Sequence, residues 1–114
     1  MLLKEFVMFT RSDATGYKEI LEKITMKTMV YGERTLLTEF KLGKGAILPK
    51  HSHPHEQTGY LVSGRIDLTI GNVTYQVLPG DSWCIPANVS HHVRAHENST
   101  AVEVFSPVRE DYLP

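Results

Sequence analysis

The chain has 114 residues, long enough to bury one core and too short for two, so a single domain is expected. Apolar residues make up 41% and charged residues 22%, a globular balance that excludes a disordered or fibrous chain. The formal charge is -1 and the cations are scattered rather than gathered into a run, so nucleic acid is not an expected partner.

In chain order, Lys4 and Glu5 interrupt the apolar region that a signal sequence would need, and no stretch approaches the roughly 18 apolar residues of a membrane span. A cytoplasmic protein that does not enter a membrane is expected. Tyr17, Ile20, Leu21 and Ile24 fit a helical stripe, whereas Ile24, Met26, Thr28 and Val30 alternate as a strand does. We read 24–30 as a strand and leave 17–22 unassigned. From Arg34 onward short apolar runs are separated by glycine or proline, the rhythm of an antiparallel sandwich or barrel, with strands expected at 35–42, 59–62, 65–70, 73–77, 82–85, 90–95 and 100–105. Gly71-Asn72 suits a two-residue hairpin connection, and Leu78-Pro79-Gly80-Asp81 fits a type II turn. The lone Cys84 excludes an intrachain disulfide, and its neighbours Trp83 and Ile85 suggest a buried apolar filler rather than a nucleophile.

Chemistry concentrates in His51-Ser52-His53-Pro54-His55-Glu56-Gln57 and in His91-His92. Residues two apart in an extended segment point the same way, so His51 and His53 can chelate one ion while Ser52 faces away. Neutral imidazole suits zinc, iron, nickel, copper or manganese, and Gln57 can add a carbonyl oxygen. A third imidazole has to come from elsewhere in the chain.

Gly45, His51, His53, Gln57 and Gly64, followed by Gly80, Pro86 and His91, resemble the paired signature of the cupin family, from about residue 35 to 105. The resemblance implies an all-β fold, an antiparallel double-stranded β-helix of the jelly-roll or cupin barrel type. It also implies one divalent metal (zinc, nickel, iron, manganese or cobalt) held by His51, His53, Gln57 and His91. The core barrel is expected over about 24–106 of a single domain 1–114, with segments 1–23 and 107–114 packing on it. His91 fits the motif register better than His92, and His55 reads as a wall of the substrate pocket. Gln57 stands where glutamate is commonest, Asn88 where glycine is usual and Ala95 where asparagine is usual. Asparagine tolerates the left-handed backbone conformation that glycine would supply.

Three imidazoles and an amide leave the double charge of the ion uncompensated, which favours an anionic or enolate-like guest, and four ligands on a six-coordinate ion leave positions open for chemistry. On the last strand, alternation puts Ala101, Glu103 and Phe105 on one face. A carboxylate in so apolar a strand has to be paired or placed in a wet pocket. Glu103 therefore either pairs with Arg94 or Arg109, or projects near the metal as a general acid or base, leaving Arg109 to grip a substrate carboxylate. His53-Pro54-His55-Glu56-Gln57 and Phe105-Ser106-Pro107-Val108-Arg109-Glu110-Asp111-Tyr112-Leu113 resemble stretches of the cupins that linearise 4,5-unsaturated uronates in pectin and alginate breakdown. That resemblance implies catalytic roles for Glu103 and Arg109 and places Phe105 at the pocket, although those enzymes carry the shorter aspartate at the Glu103 position.

The expected function is Lewis-acid promotion of proton transfer, isomerisation or hydration on a small acidic carbohydrate or keto-enol substrate. Two other readings compete. A dioxygenase would need redox-active iron or copper, and a non-catalytic ligand-binding module would use the same pocket without turnover. A homodimer is expected, because exposed edge strands need cover.

Overall fold

The structure, a computed structural model, describes residues 6–114. Lys4 and Glu5, on which the reading of the N-terminus rested, lie outside the described residues. Ten strands follow in order: β1 (Lys18–Leu21), β2 (Ile24–Tyr31), β3 (Leu36–Leu42), β4 (Ile47–His51), β5 (Glu56–Ser63), β6 (Ile66–Ile70), β7 (Val73–Val77), β8 (Ser82–Ile85), β9 (His91–Ala95) and β10 (Ser99–Ser106). One 3-10 turn follows at Glu110–Tyr112. Among the described residues no helix is long and apolar enough to cross a membrane.

The strands form a six-stranded sheet in the order β1-β2-β3-β10-β5-β8 and a four-stranded sheet in the order β4-β9-β6-β7. All the strand pairs are antiparallel. The inner faces enclose one core, with Ile24, Leu36, Leu61 and Ile85 from the larger sheet meeting Ile66, Leu68 and Val93 from the smaller. This is the antiparallel double-stranded β-helix that the sequence implied.

Alternation explains most of the elements. Along β3, Leu36, Thr38, Phe40 and Leu42 are buried while Leu37, Glu39 and Lys41 turn outward, as a pleat with a period of two demands. The same rule corrects the reading of Cys84. On β8, Trp83 and Ile85 point inward, so the cysteine between them points out, and it is exposed. Apolar neighbours on both sides are a reason for a strand residue to face solvent, not for it to be buried.

Two strands escaped the sequence reading. β1 pairs with β2 through Leu21 opposite Ile24, a tight reversal in which Lys23 takes φ 64°. The helical spacing of Tyr17, Ile20, Leu21 and Ile24 thus spans two strands of a hairpin. β4 was missed because its alternation is broken. Leu48 faces Val93 and His51 faces His91, so β4 uses three residue steps where β9 uses two. This β-bulge leaves Pro49 and Lys50 exposed and turns His51 back to the inner side. The turn expectations hold: Gly71 and Gly80 have φ 60° and 93°, and the Asp81 amide donates to the Leu78 carbonyl over 3.0 Å.

Among the described residues, side chains before β1 and after β10 contact the sheets. The Thr10 hydroxyl donates to the Met29 carbonyl, and the Tyr17 hydroxyl donates to the Glu39 carboxylate, a bond that pushes the phenol pKa up to about 12. At the other end Tyr112 lies edge-on to Phe105, with ring centroids 5.5 Å apart, and its carbonyl accepts from the Thr28 hydroxyl.

Adjacent residues on β5 give a direct test of this register. Leu61 is 0% exposed and Val62 is 50% exposed. Leu61→Ala is expected to lower unfolding free energy by about 2–5 kcal/mol, and Val62→Ala by less than about 1 kcal/mol, in urea denaturation. Equal losses would mean that the strand faces have been exchanged.

Candidate metal centre

The site lies where the two sheets approach each other. The smaller sheet supplies His51 at the end of β4 and His91 at the start of β9, directly opposite in register, with ring centroids 4.2 Å apart. His53 follows two residues beyond His51, held by the Asn88 amide, which donates to its carbonyl over 2.8 Å. Asn88 takes φ 65°, the left-handed conformation expected at that position. The larger sheet supplies Gln57, which is buried on β5 between Glu56 and Thr58, both turned outward.

The ligand-bearing nitrogens of His51, His53 and His91 lie within 4.8 Å of one another. His92 projects from the other side of β9 and His55 stays outside the group, its ring 5.6 Å from that of His53.

Each of the three rings uses Nδ1 against a backbone carbonyl: Pro49 at 2.7 Å from His51, His55 at 3.0 Å from His53, and Val89 at 2.9 Å from His91. A carbonyl can only accept, so a neutral ring bears its proton on Nδ1 and presents an Nε2 lone pair. Burial favours the neutral form. It lowers the His91 pKa to about 4 and also lowers that of His53, where the nearby Arg109 charge acts in the same direction.

The cluster is consequently short of protons. His91 Nε2 is buried with no hydrogen-bond partner, and His53 Nε2 lies 3.0 Å from Gln57 Oε1, also an acceptor. Lone pairs that converge on one region with no donor among them suit a cation, and the donor set of three imidazole nitrogens and an amide oxygen suits a divalent transition metal.

Glu103 sits behind Gln57 on β10. Its Oε2 accepts from Gln57 Nε2 at 2.6 Å, and its Oε1 accepts from Trp83 Nε1 at 2.8 Å. Burial raises its pKa to about 7, against the opposing pull of these two donors and of the Arg109 charge. Of the two alternatives for Glu103, the ion pair with Arg94 or Arg109 is not the one formed: Arg94 is on the exposed face of β9, and Arg109 makes a two-pronged bond to Asp111 over 2.8 and 3.2 Å. The Arg109 guanidinium is stacked 4.0 Å from the Tyr112 ring and 5.1 Å from the Phe105 ring. Phe105 itself is 1% exposed and presents its ring edge-on to His53 at 5.8 Å, so it supports the cluster from within the core.

Gln57, Trp83, His91 and Glu103 also line a cavity of about 30 Å³ in the barrel interior, together with apolar side chains such as Leu68, Ile85 and Val93. It has room for about one water and none for a sugar acid, so a guest has to reach the cluster from outside. The sequence reading passed over Trp83, Asp111 and Tyr112 in this neighbourhood. Tyr112 and Asp111 lie within the stretch quoted from the tail, whereas nothing local to Trp83 pointed to Glu103.

Comparison with known proteins agrees with this architecture. The family described as "Cupin domain" matches residues 38–107. The chain belongs to the cupin family. Among curated proteins, this cupin is 28% identical over 103 residues to the pectin degradation protein KdgF of Dickeya dadantii, covering 89% of this chain and 94% of that one. Among solved structures, KdgF from Halomonas sp. superposes with a TM-score of 0.88 at 26% identity, over 92% of this chain and 97% of that chain. An RmlC-like cupin from Shewanella frigidimarina gives the same TM-score of 0.88 at 24% identity, over 93% and 96% of the two chains, and supports the fold alone.

The two neighbouring histidines of β9 allow a clean comparison. His91→Ala is expected to weaken zinc binding by more than about tenfold, and His92→Ala to leave it within about twofold, by isothermal titration calorimetry on the metal-stripped protein. Equal losses from the two changes would place the cation elsewhere.

Proposed function

We propose that this cupin is a metal-dependent enzyme that promotes proton transfer on a small anionic carbohydrate or keto-enol substrate, with a 4,5-unsaturated uronate as the specific candidate. The observation that carries the reading is the convergence of three imidazoles and the Gln57 carbonyl on one region, with the Glu103 carboxylate directly behind it. The similarity to two KdgF proteins, one of them named for pectin degradation, supports the choice of substrate class.

In this reading His51, His53, His91 and Gln57 hold one divalent ion. The ion supplies Lewis-acid polarisation of a substrate carbonyl or enol oxygen. The ligand set is uncharged, so the site keeps a net positive character that draws in an anionic guest. Arg109 adds to it, with the side chain ordered by Phe105 and Tyr112 and the guanidinium fork shaped for a carboxylate. Glu103 is the carboxylate nearest the cluster and serves as the proton acceptor and donor, while His55 borders the approach. Burial raises the Glu103 pKa to about 7, which suits a group that both takes and gives a proton near neutrality.

The same reading takes the protein as a homodimer that covers its edge strands, and light scattering in solution is expected to give twice the chain mass of 12.9 kDa. The deciding experiment for function is metal analysis of the purified protein followed by a screen of unsaturated uronates. Stoichiometric metal and a steady loss of substrate absorbance are expected, restored after chelation by either zinc or nickel. Arg109→Ala is expected to raise KM by about two- to fivefold, less than the full value of a charge-assisted contact, because a guest carboxylate replaces Asp111 on the guanidinium. Failure of the protein to bind a divalent metal at micromolar concentration would remove the proposal. Uptake of oxygen on turnover would replace it with a dioxygenase.

A further inference from the structure

Gln57 can offer its carbonyl to the histidines in only one of two amide orientations, and side chains on three neighbouring strands select between them. Glu103 on β10, Gly59 on β5 and Trp83 on β8 stand in one cross-strand row. Trp83 and Glu103 are two strands apart, yet the indole nitrogen is 2.8 Å from Glu103 Oε1. The contact exists because the residue between them has no side chain. A Cβ at Gly59 would lie 2.3 Å from both Nε1 and Cε2 of Trp83 and 2.4 Å from Cζ2, so the indole occupies the volume that any other residue would fill. The φ of Gly59 is not among the positive values found at other glycines, so the demand here is for space rather than for backbone conformation.

The hydrogen-bond inventory then fixes a direction. An indole N–H can only donate, and Glu103 in its ionised form can only accept. Trp83 holds Glu103 Oε1, which leaves Oε2 to face Gln57 at 2.6 Å. The amide has to turn its NH2 toward that oxygen, and its carbonyl oxygen then points to His53 Nε2 at 3.0 Å. With the carboxylate free to rotate, the amide could turn over and donate a hydrogen to the His53 Nε2 lone pair, closing that lone pair to a cation.

We propose that Trp83, admitted by the absent side chain of Gly59, is a positioning residue that acts through the Glu103 carboxylate to hold the Gln57 carbonyl toward the histidine cluster. This rests on the reading of the cluster as a cation site, and it adds two residues that touch neither the cation nor the guest.

The test uses Trp83→Phe, which keeps an aromatic ring over Gly59 and deletes the donor, and Gly59→Ala, which keeps the donor and fills its space. Trp83 is the only tryptophan and Gln76 the only other glutamine in the sequence, so the indole and Gln57 side-chain signals are assignable in 1H–15N spectra, with the exposed Gln76 as reference. In the metal-free wild type, the Gln57 NH2 signals are expected to be shifted downfield and slow to exchange with solvent. In Trp83→Phe they are expected to move toward those of Gln76 and exchange faster, and zinc affinity by calorimetry is expected to fall by about 10–100-fold, the usual effect of losing an orienting partner. Gly59→Ala is expected to displace the indole N–H signal and reduce zinc affinity similarly. Should that variant not fold, Trp83→Phe decides alone, its fold checked by thermal melting.

Unchanged Gln57 signals and unchanged zinc affinity in Trp83→Phe would overturn the proposal, as would an unmoved indole signal in a folded Gly59→Ala protein. A wild type that binds no zinc would instead defeat the cation-site reading, and the Gln57 spectra of the metal-free proteins would still decide whether Trp83 orients the amide.

Discussion

Each of the three converging imidazoles gives its Nδ1 proton to a main-chain carbonyl, and that constraint governs the rest of the site. The acceptors belong to Pro49 on β4, His55 in the bend before β5 and Val89 in the connection before β9. The tautomer of each ring is therefore set by the fold before any ion arrives. Because His51 and His91 come from one sheet and Gln57 from the other, the depth of the core sets the spacing across the cluster. Packing of Leu61, Ile85 and Phe105 in the core is in this sense part of what spaces the cluster.

The histidine pair, the glutamine and the later His91 could be read from the sequence because their positions follow a linear spacing. So could most of the strands, since an inward-outward pattern such as Leu36 to Leu42 needs only a half-buried face to explain it. The turn at Pro79-Gly80 announced itself through proline and glycine chemistry. What stayed hidden depends on relations between strands. Trp83 meets Glu103 only because β5 lies between β8 and β10 with Gly59 in the shared row, and no local pattern around any of the three residues carries that information. Cys84 was misread for a different reason, as its apolar neighbours were taken for its environment when the pleat sends them to the opposite side.

Arg109 illustrates a limit of reading charge from sequence. Its guanidinium already has a carboxylate partner in Asp111 and two aromatic rings beneath it. A guest acid would exchange partners with Asp111 instead of meeting a bare cation, so the net gain is the difference between two similar ion pairs. In the proposed function the arginine therefore contributes orientation as much as attraction.

The irregularity in β4 has a bearing on how faithfully the chain assembles. If β4 paired with β9 in unbroken alternation from Leu48, Lys50 would take the inward place of His51 and bring an ammonium group among the imidazoles. Desolvating that charge costs several kcal/mol, His51 would be turned out of the cluster, and Pro49 has no amide hydrogen to lend to a regular ladder. The misaligned pairing is thus penalised twice by two adjacent residues, so the correct strand alignment is chosen by what the alternative would bury, before any ligand is present to reward it.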